Sequence, residues 1–194
     1  MSFVPSELVD EATGAPRRDA LSLDDFAILG LPRTMNLTAA DVRDAFFRRA
    51  PFVHPDRYAA REPAVRALAD ALHARMSDAQ TKLADDYGRA EKLLAIWGGT
   101  APAADRRTPP AFLMAVMELQ ERLQGTGEQR ETAKAKIDRL AETLTGSLKE
   151  LLAGPGPTAE QLSRAREELD KLSYLRKIRR DFGLRTPGSG GGGE

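Results

Sequence analysis

Apolar side chains recur along this chain every three to four residues, in blocks parted by Gly and Pro. That spacing is the signature of amphipathic helices. The clearest block is Val65, Leu68, Ala69, Leu72, Met76, Ala79 and Leu83, which follows a helix start near Pro63. Upstream, a first helix is expected from about Leu23 to Gly30, with Ser22 as its N-cap and Pro32 just beyond its end. A second is expected over residues 41–50. Thr38 can cap it, Asp41 puts a negative charge on its first turn, and Val42, Phe46 and Val53 share one side. Residues 89–97 continue the third block until Gly98-Gly99 stops it.

Three more helical patterns follow, over Pro110–Gln124, residues 128–153 and residues 158–182. The middle one carries Ile137, Leu140, Ala141, Leu144, Leu148, Leu151 and Leu152. The last opens with Thr158 and Gln161 in capping-box order, then places Leu162, Ala165, Leu169, Leu172, Leu175 and Ile178 on one face. Short connections between such helices predict an antiparallel three-helix bundle. The expected division is a flexible arm over 1–20, a first helical domain over 21–99, a linker over 100–110, the bundle over 111–185 and a disordered Gly-rich tail over 186–194. The fold class is all-α.

Composition narrows the picture. The 194 residues balance 29 Lys and Arg against 29 Asp and Glu, so no whole-chain field draws the protein to nucleic acid or membrane. With no cysteine there is no disulfide framework, thiol nucleophile or thiolate metal site. Residues 1–20 lack an apolar signal core, and no apolar run is long enough to cross a bilayer, so a cytosolic protein without membrane contact is expected.

The candidate chemistry sits at His54-Pro55-Asp56, between the second and third helices. Pro55 fixes its own φ and pushes His54 out of the α region, so the flanking side chains project from a stiff corner. With Asp24 to Pro32 upstream and Arg57-Tyr58 directly after, this order resembles the J-domain, a helical hairpin with an HPD loop that recruits DnaK-type chaperones and stimulates their ATPase.

A second feature is the Pro110–Gln124 helix, which has two apolar sides. Phe112, Ala115, Val116, Leu119 and Leu123 cluster on one. Leu113, Met114 and Met117 share the other with Glu118 and Glu121. A helix ordinarily buries one stripe and solvates the rest. The wheel alone leaves two readings open, burial on both sides or an exposed docking patch whose acids select a basic partner.

Taken whole, the chain resembles the HscB family, the J-protein co-chaperones of iron–sulfur cluster assembly. The resemblance runs from about Asp24 to Phe182. It rests on Phe26-Ala27-Ile28-Leu29-Gly30-Leu31, His54-Pro55-Asp56-Arg57, Arg89-Ala90-Glu91-Lys92-Leu93-Leu94, and Ala111-Phe112-Leu113-Met114 running to Met117-Glu118. It implies an adaptor without catalytic residues, cofactor or metal. A DnaK/HscA-type chaperone would dock on His54, Pro55 and Asp56, aided by Arg43, Arg48 and Arg49. An IscU-type iron–sulfur scaffold would dock on Leu113, Met114, Met117, Glu118, Glu121 and Tyr174. Arg49 falls where the family commonly has an apolar residue, and Pro51 is expected to fray the last turn before the motif.

The alternatives are a J-domain co-chaperone with another client, a metal site on His54 and Asp56, and a nucleic-acid binder using Arg176, Lys177, Arg179, Arg180 and Arg185. With only two histidines in the chain the metal site is disfavoured. The basic run reads more simply as cations at a helix C-terminus.

Overall fold

The computed structural model describes residues 4–98, 108–154 and 156–184. Helices account for its regular structure, with one isolated antiparallel bridge between Val9 and Pro16. The chain divides into two units, Met1–Ile96 and Trp97–Glu194. Most of the expected linker and the whole expected tail, with Arg185, lie outside the described residues.

The first unit contains α1 (Asp25–Leu29), α2 (Ala39–Val53), α3 (Pro63–Leu83) and α4 (Asp86–Ile96). Helices α2 and α3 form a hairpin, and α1 packs against both. Its core is Phe26, Ile28, Leu29, Val42, Val53, Leu72, Met76, Leu83, Leu93 and Leu94, so the stripe expected on the third helix is the buried one. Thr38 caps α2, with Asp41 closing a capping box. The short turn between α3 and α4 brings Gly88 against the Lys82 carbonyl, and a Cβ there would overlap that oxygen.

Three features differ from expectation. The N-cap of α1 is Asp24, whose carboxylate accepts the amides of Phe26 and Ala27 at 2.9 and 3.0 Å. Ser22 instead closes a preceding 3-10 turn, Arg18–Ser22. Helix α2 runs on through Pro51 to Val53, because only one amide is lost and the next turn is already the last. The supposed loose arm is folded over residues 4–22. Leu8 and Val9 are buried, Glu7 pairs with Arg49, and the Tyr58 hydroxyl lies 2.9 Å from the Gly14 carbonyl. Those partners stand some forty residues away, so no local period reveals them.

A buried carboxylate ties this unit together. Asp25 forms ion pairs with Arg75 of α3 and, at 2.9 Å, with Lys92 of α4. A buried charge is tolerable only with such partners.

The second unit contains α5 (Pro110–Gln124), α6 (Glu128–Leu151) and α7 (Ala159–Asp181), with α5 and α7 each packed on α6. Gly127, at φ +61°, lets the chain reverse into α6, and Thr158 with Gln161 caps α7. Arg130 near the start of α6 donates to the carbonyls of Leu123 and Phe182, at the far ends of α5 and α7. Arg179 of α7 pairs with Asp138 of α6. The Arg130–Phe182 and Arg179–Asp138 contacts together set α7 antiparallel to α6, as the short connection predicted. Val116, Leu119, Leu123, Ile137, Leu144, Leu148, Leu169, Leu172, Leu175 and Ile178 fill the seams.

Candidate docking surfaces

His54 ends α2 in an extended conformation (φ −66°, ψ 132°), and Pro55 opens a 3-10 turn, Pro55–Tyr58. Nδ1 of His54 accepts the Asp56 amide at 3.3 Å and lies 3.6 Å from the Asp56 carboxylate. Tyr58 anchors the turn from below. Its ring is buried and its hydroxyl faces the carbonyls of Phe52, at 2.7 Å, and Gly14. Burial raises the Tyr58 phenol above its ordinary pKa, keeping the hydroxyl protonated and able to donate. The Arg57 guanidinium lies over the Phe52 ring, 5.8 Å from its centroid. The result is a braced corner whose Asp56 side chain is 92% exposed.

Arg43 and Arg48 are exposed on α2, with Arg43 3.5 Å from Asp44. Arg49 does not join them. It is only 6% exposed, donates to the carbonyls of Ala27 and Ile28 at the end of α1, and pairs with Glu7. Its place on the α2 wheel, beside Val42 on the face that also carries Val53, turns it inward, so its expected role as a chaperone contact is corrected to a structural one. Its guanidinium lies where a Cβ at Gly30 would stand, and Gly30 also has φ +65°, which makes glycine doubly fitting there. Glu7 is held below the ordinary glutamate range. Partial burial opposes this, but its own backbone amide and Arg49 outweigh it.

Sequence reasoning passed over Phe47, which stands between Arg43 and Arg48 on the outer face of α2 with 63% of its surface exposed. A wheel of α2 would have shown it, since it lies opposite Val42, Ala45 and Val53. His73 lies half-buried on α3. Its ring meets that of His54. Among the described residues no three His, Asp or Glu side chains converge as a metal ion would need.

On α5 the two sides separate. Val116, Leu119 and Leu123 are buried, while Met114 and Met117 are 72% and 57% exposed. Glu118 and Glu121 share the exposed side, and Glu118 pairs with Arg122 at 2.5 Å. Leu113, at the flank of the packed stripe, and Phe112, in line with it on the first turn of α5, are half-buried. Ala115, expected on the packed side, lies at its edge and is exposed. Tyr174 is half-buried on α7. The patch is therefore two flexible thioether side chains edged by carboxylates, a composition suited to an apolar, basic partner surface.

The basic run on α7 is not uniformly outward. Arg179 is buried against Asp138, and Arg180 lies 3.6 Å from Asp181.

Comparison with known proteins agrees with this architecture. Residues 108–182 match the family described as the HSCB C-terminal oligomerisation domain. A co-chaperone protein HscB homolog from Chromobacterium violaceum is 34% identical over 132 residues, covering 66% of this chain and 71% of the relative. One from Cupriavidus taiwanensis is 31% identical over 161 residues, covering 81% and 90%. The crystal structure of human co-chaperone protein HscB has the same fold, with a TM-score of 0.80 over 91% of this chain and 89% of that one at 19% identity. The chaperone HscB from Vibrio cholerae superimposes with a TM-score of 0.66 at 25% identity, covering 83% and 96%.

Proposed function

Since the chain belongs to the HscB co-chaperone family, we propose that it links an IscU-type iron–sulfur scaffold to a DnaK/HscA-type chaperone in the cytosol and stimulates that chaperone's ATPase during cluster assembly. In this reading the chain performs no bond chemistry. The observation that carries it is the exposed Asp56 carboxylate on a corner stiffened by Pro55 and braced by Tyr58.

A corner without catalytic groups raises another protein's ATPase by binding one of its states more tightly than the other. Asp56 pairs with an arginine of the chaperone and competes with that residue's resting contacts. His54 and Pro55 fix the direction of the carboxylate, and Arg43 and Arg48 supply cationic contacts from the exposed face of α2. The scaffold is held separately on Leu113, Met114, Met117, Glu118 and Glu121 of α5, with Tyr174 of α7. No helix among the described residues is long and apolar enough to cross a membrane.

The test is His54→Gln. Single-turnover ATPase stimulation should be abolished, with the helical circular-dichroism signal and scaffold affinity unchanged. Stimulation equal to that of the unaltered protein would refute the assignment of the corner.

A further inference from the structure

Four aromatic rings follow one another from the outer face of α2 to the corner. Phe47 meets Phe46 at 5.6 Å and 71°, Phe46 meets His73 of α3 at 5.9 Å and 63°, and His73 meets His54 at 5.1 Å and 81°. Each is an edge-to-face contact, the arrangement that the quadrupoles of aromatic rings favour over a parallel sandwich. The His54 ring thus has two constraints. On one side the Asp56 amide donates to Nδ1, which leaves Nε2 as the protonated nitrogen of the neutral ring. On the other stands His73.

We propose that His73 is a positioning residue for the corner: set between Phe46 and His54, its ring holds the His54 imidazole in the one orientation that keeps Nδ1 on the Asp56 amide and offers Nε2–H outward. The inference rests on reading the corner as the chaperone contact, and adds a residue on another helix that governs it. Besides the Asp56 amide and His73, the Asp56 carboxylate stands 3.6 Å from Nδ1 of His54. His54 lies outside the helical ladder, and its side chain is 48% exposed. A ring turned by 180° about χ2 would present carbon where Nδ1 now accepts, and would release the amide next to Asp56. His73 is also an odd choice for packing alone. The adjoining α3 stripe is Ala69, Leu72, Met76 and Ala79, all buried, whereas His73 is only half-buried beside it. An aliphatic residue there would fill space and favour the helix at least as well. A planar ring can do what an aliphatic cannot, meeting His54 edge to face.

The experiment compares His73→Ala, His73→Leu and His73→Phe with His54→Gln, in the full chain. Without chaperone, nitrogen-15 NMR reads the His54 tautomer. The unaltered protein and His73→Phe should show Nε2–H dominant, and His73→Ala and His73→Leu a mixture. With a DnaK-type chaperone, His73→Ala and His73→Leu should lower maximal single-turnover stimulation by about fivefold, the population equivalent of one ring contact, while His73→Phe stays within about twofold of unaltered. Stimulation by His73→Leu matching His73→Phe would reduce His73 to space-filling and overturn the inference, as would an unchanged His54 tautomer in His73→Ala. If His73→Ala unfolds, the Leu and Phe variants alone decide. Should His54→Gln still stimulate fully, the corner assignment fails. The tautomer measurement then still decides whether His73 orients His54.

Discussion

Replacing both Met114 and Met117 with alanine should cost binding far more than folding. Taking a methionine side chain wholly out of water is worth about 1.5–3 kcal/mol. Met114 keeps 72% of its surface in water and Met117 57%, so the fold draws on only the covered minority of each, together about 1–2 kcal/mol. Alanine retains part of that and is the better helix former, which leaves a net loss near 1 kcal/mol or less, or a fall in Tm of at most about 4–8 °C. A partner that covers the patch removes the larger, exposed share. The double variant should then lose about 2 kcal/mol of binding, roughly a thirtyfold rise in Kd. Titration calorimetry with a purified IscU-type scaffold measures the second quantity, and thermal denaturation followed by circular dichroism measures the first. An affinity within twofold of unaltered would refute the docking patch. A Tm drop well beyond about 10 °C would refute the exposure on which the magnitudes rest.

Arg49→Ala should destabilise the first unit in urea melts by about 3 kcal/mol, because it strands the Ala27 and Ile28 carbonyls and empties the space beside Gly30. Stimulation per folded molecule should be unchanged, and a loss at full folding would return Arg49 to the chaperone surface. Two glycines should respond oppositely in thermal melts. Gly88→Ala forces a methyl against the Lys82 carbonyl and should cost about 1–3 kcal/mol, whereas Gly146→Ala, in mid-helix with open space around it, should gain about 0.5–1 kcal/mol. Acid should loosen the first unit, as urea midpoints against pH would show. Glu7, Asp24 and Asp41 are all held below their ordinary values in the folded chain, Asp24 and Glu7 against partial burial and Asp41 by Thr38. Their contribution is complete above the unfolded values near about pH 4 and is lost as pH falls through the lower folded ones. A midpoint independent of pH between about 5 and 2 would contradict this.

What could be read from the sequence was what is local. The α3 stripe, the Thr38 and Thr158 boxes, the three C-terminal helices and the two-sided α5 are all set by residues within a turn or two of one another. The wheel set Met114 and Met117 opposite Val116, Leu119 and Leu123 but left their exposure open, which the structure shows. What could not be read depends on contacts across the chain. The N-terminal segment shows no period, yet Leu8 and Val9 are buried because Glu7 finds Arg49 and Gly14 finds Tyr58. Asp24 and Asp25 are identical neighbours in sequence. One caps α1, and the other is buried between Arg75 and Lys92. Likewise nothing near His54 announces His73, nineteen positions on.

Arginine shows most clearly why local rules fail here. Arg49, Arg89, Arg166 and Arg179 are all buried, and each is paired with a carboxylate, Glu7, Asp86, Asp170 and Asp138 respectively. Burial lowers the Arg89 guanidinium, although it stays charged. A fork of donors on a long stem can reach a carboxylate on its own helix, as Arg89 and Arg166 do, or on another element, as Arg49 and Arg179 do, so its sequence position does not say which way it faces. The consequence for function is direct. Four arginines and Asp25 are used inside the units, so only the charges that stay exposed can define the surfaces. Arg43 and Arg48 are exposed on α2, the helix that leads into the corner, and Glu118 and Glu121 are exposed beside the methionines on α5. The C-terminal basic run loses Arg179 to the α6–α7 seam, which weakens the nucleic-acid reading. A phosphate-tracking surface needs its cations free to replace counterions, and this one is committed to holding two helices together.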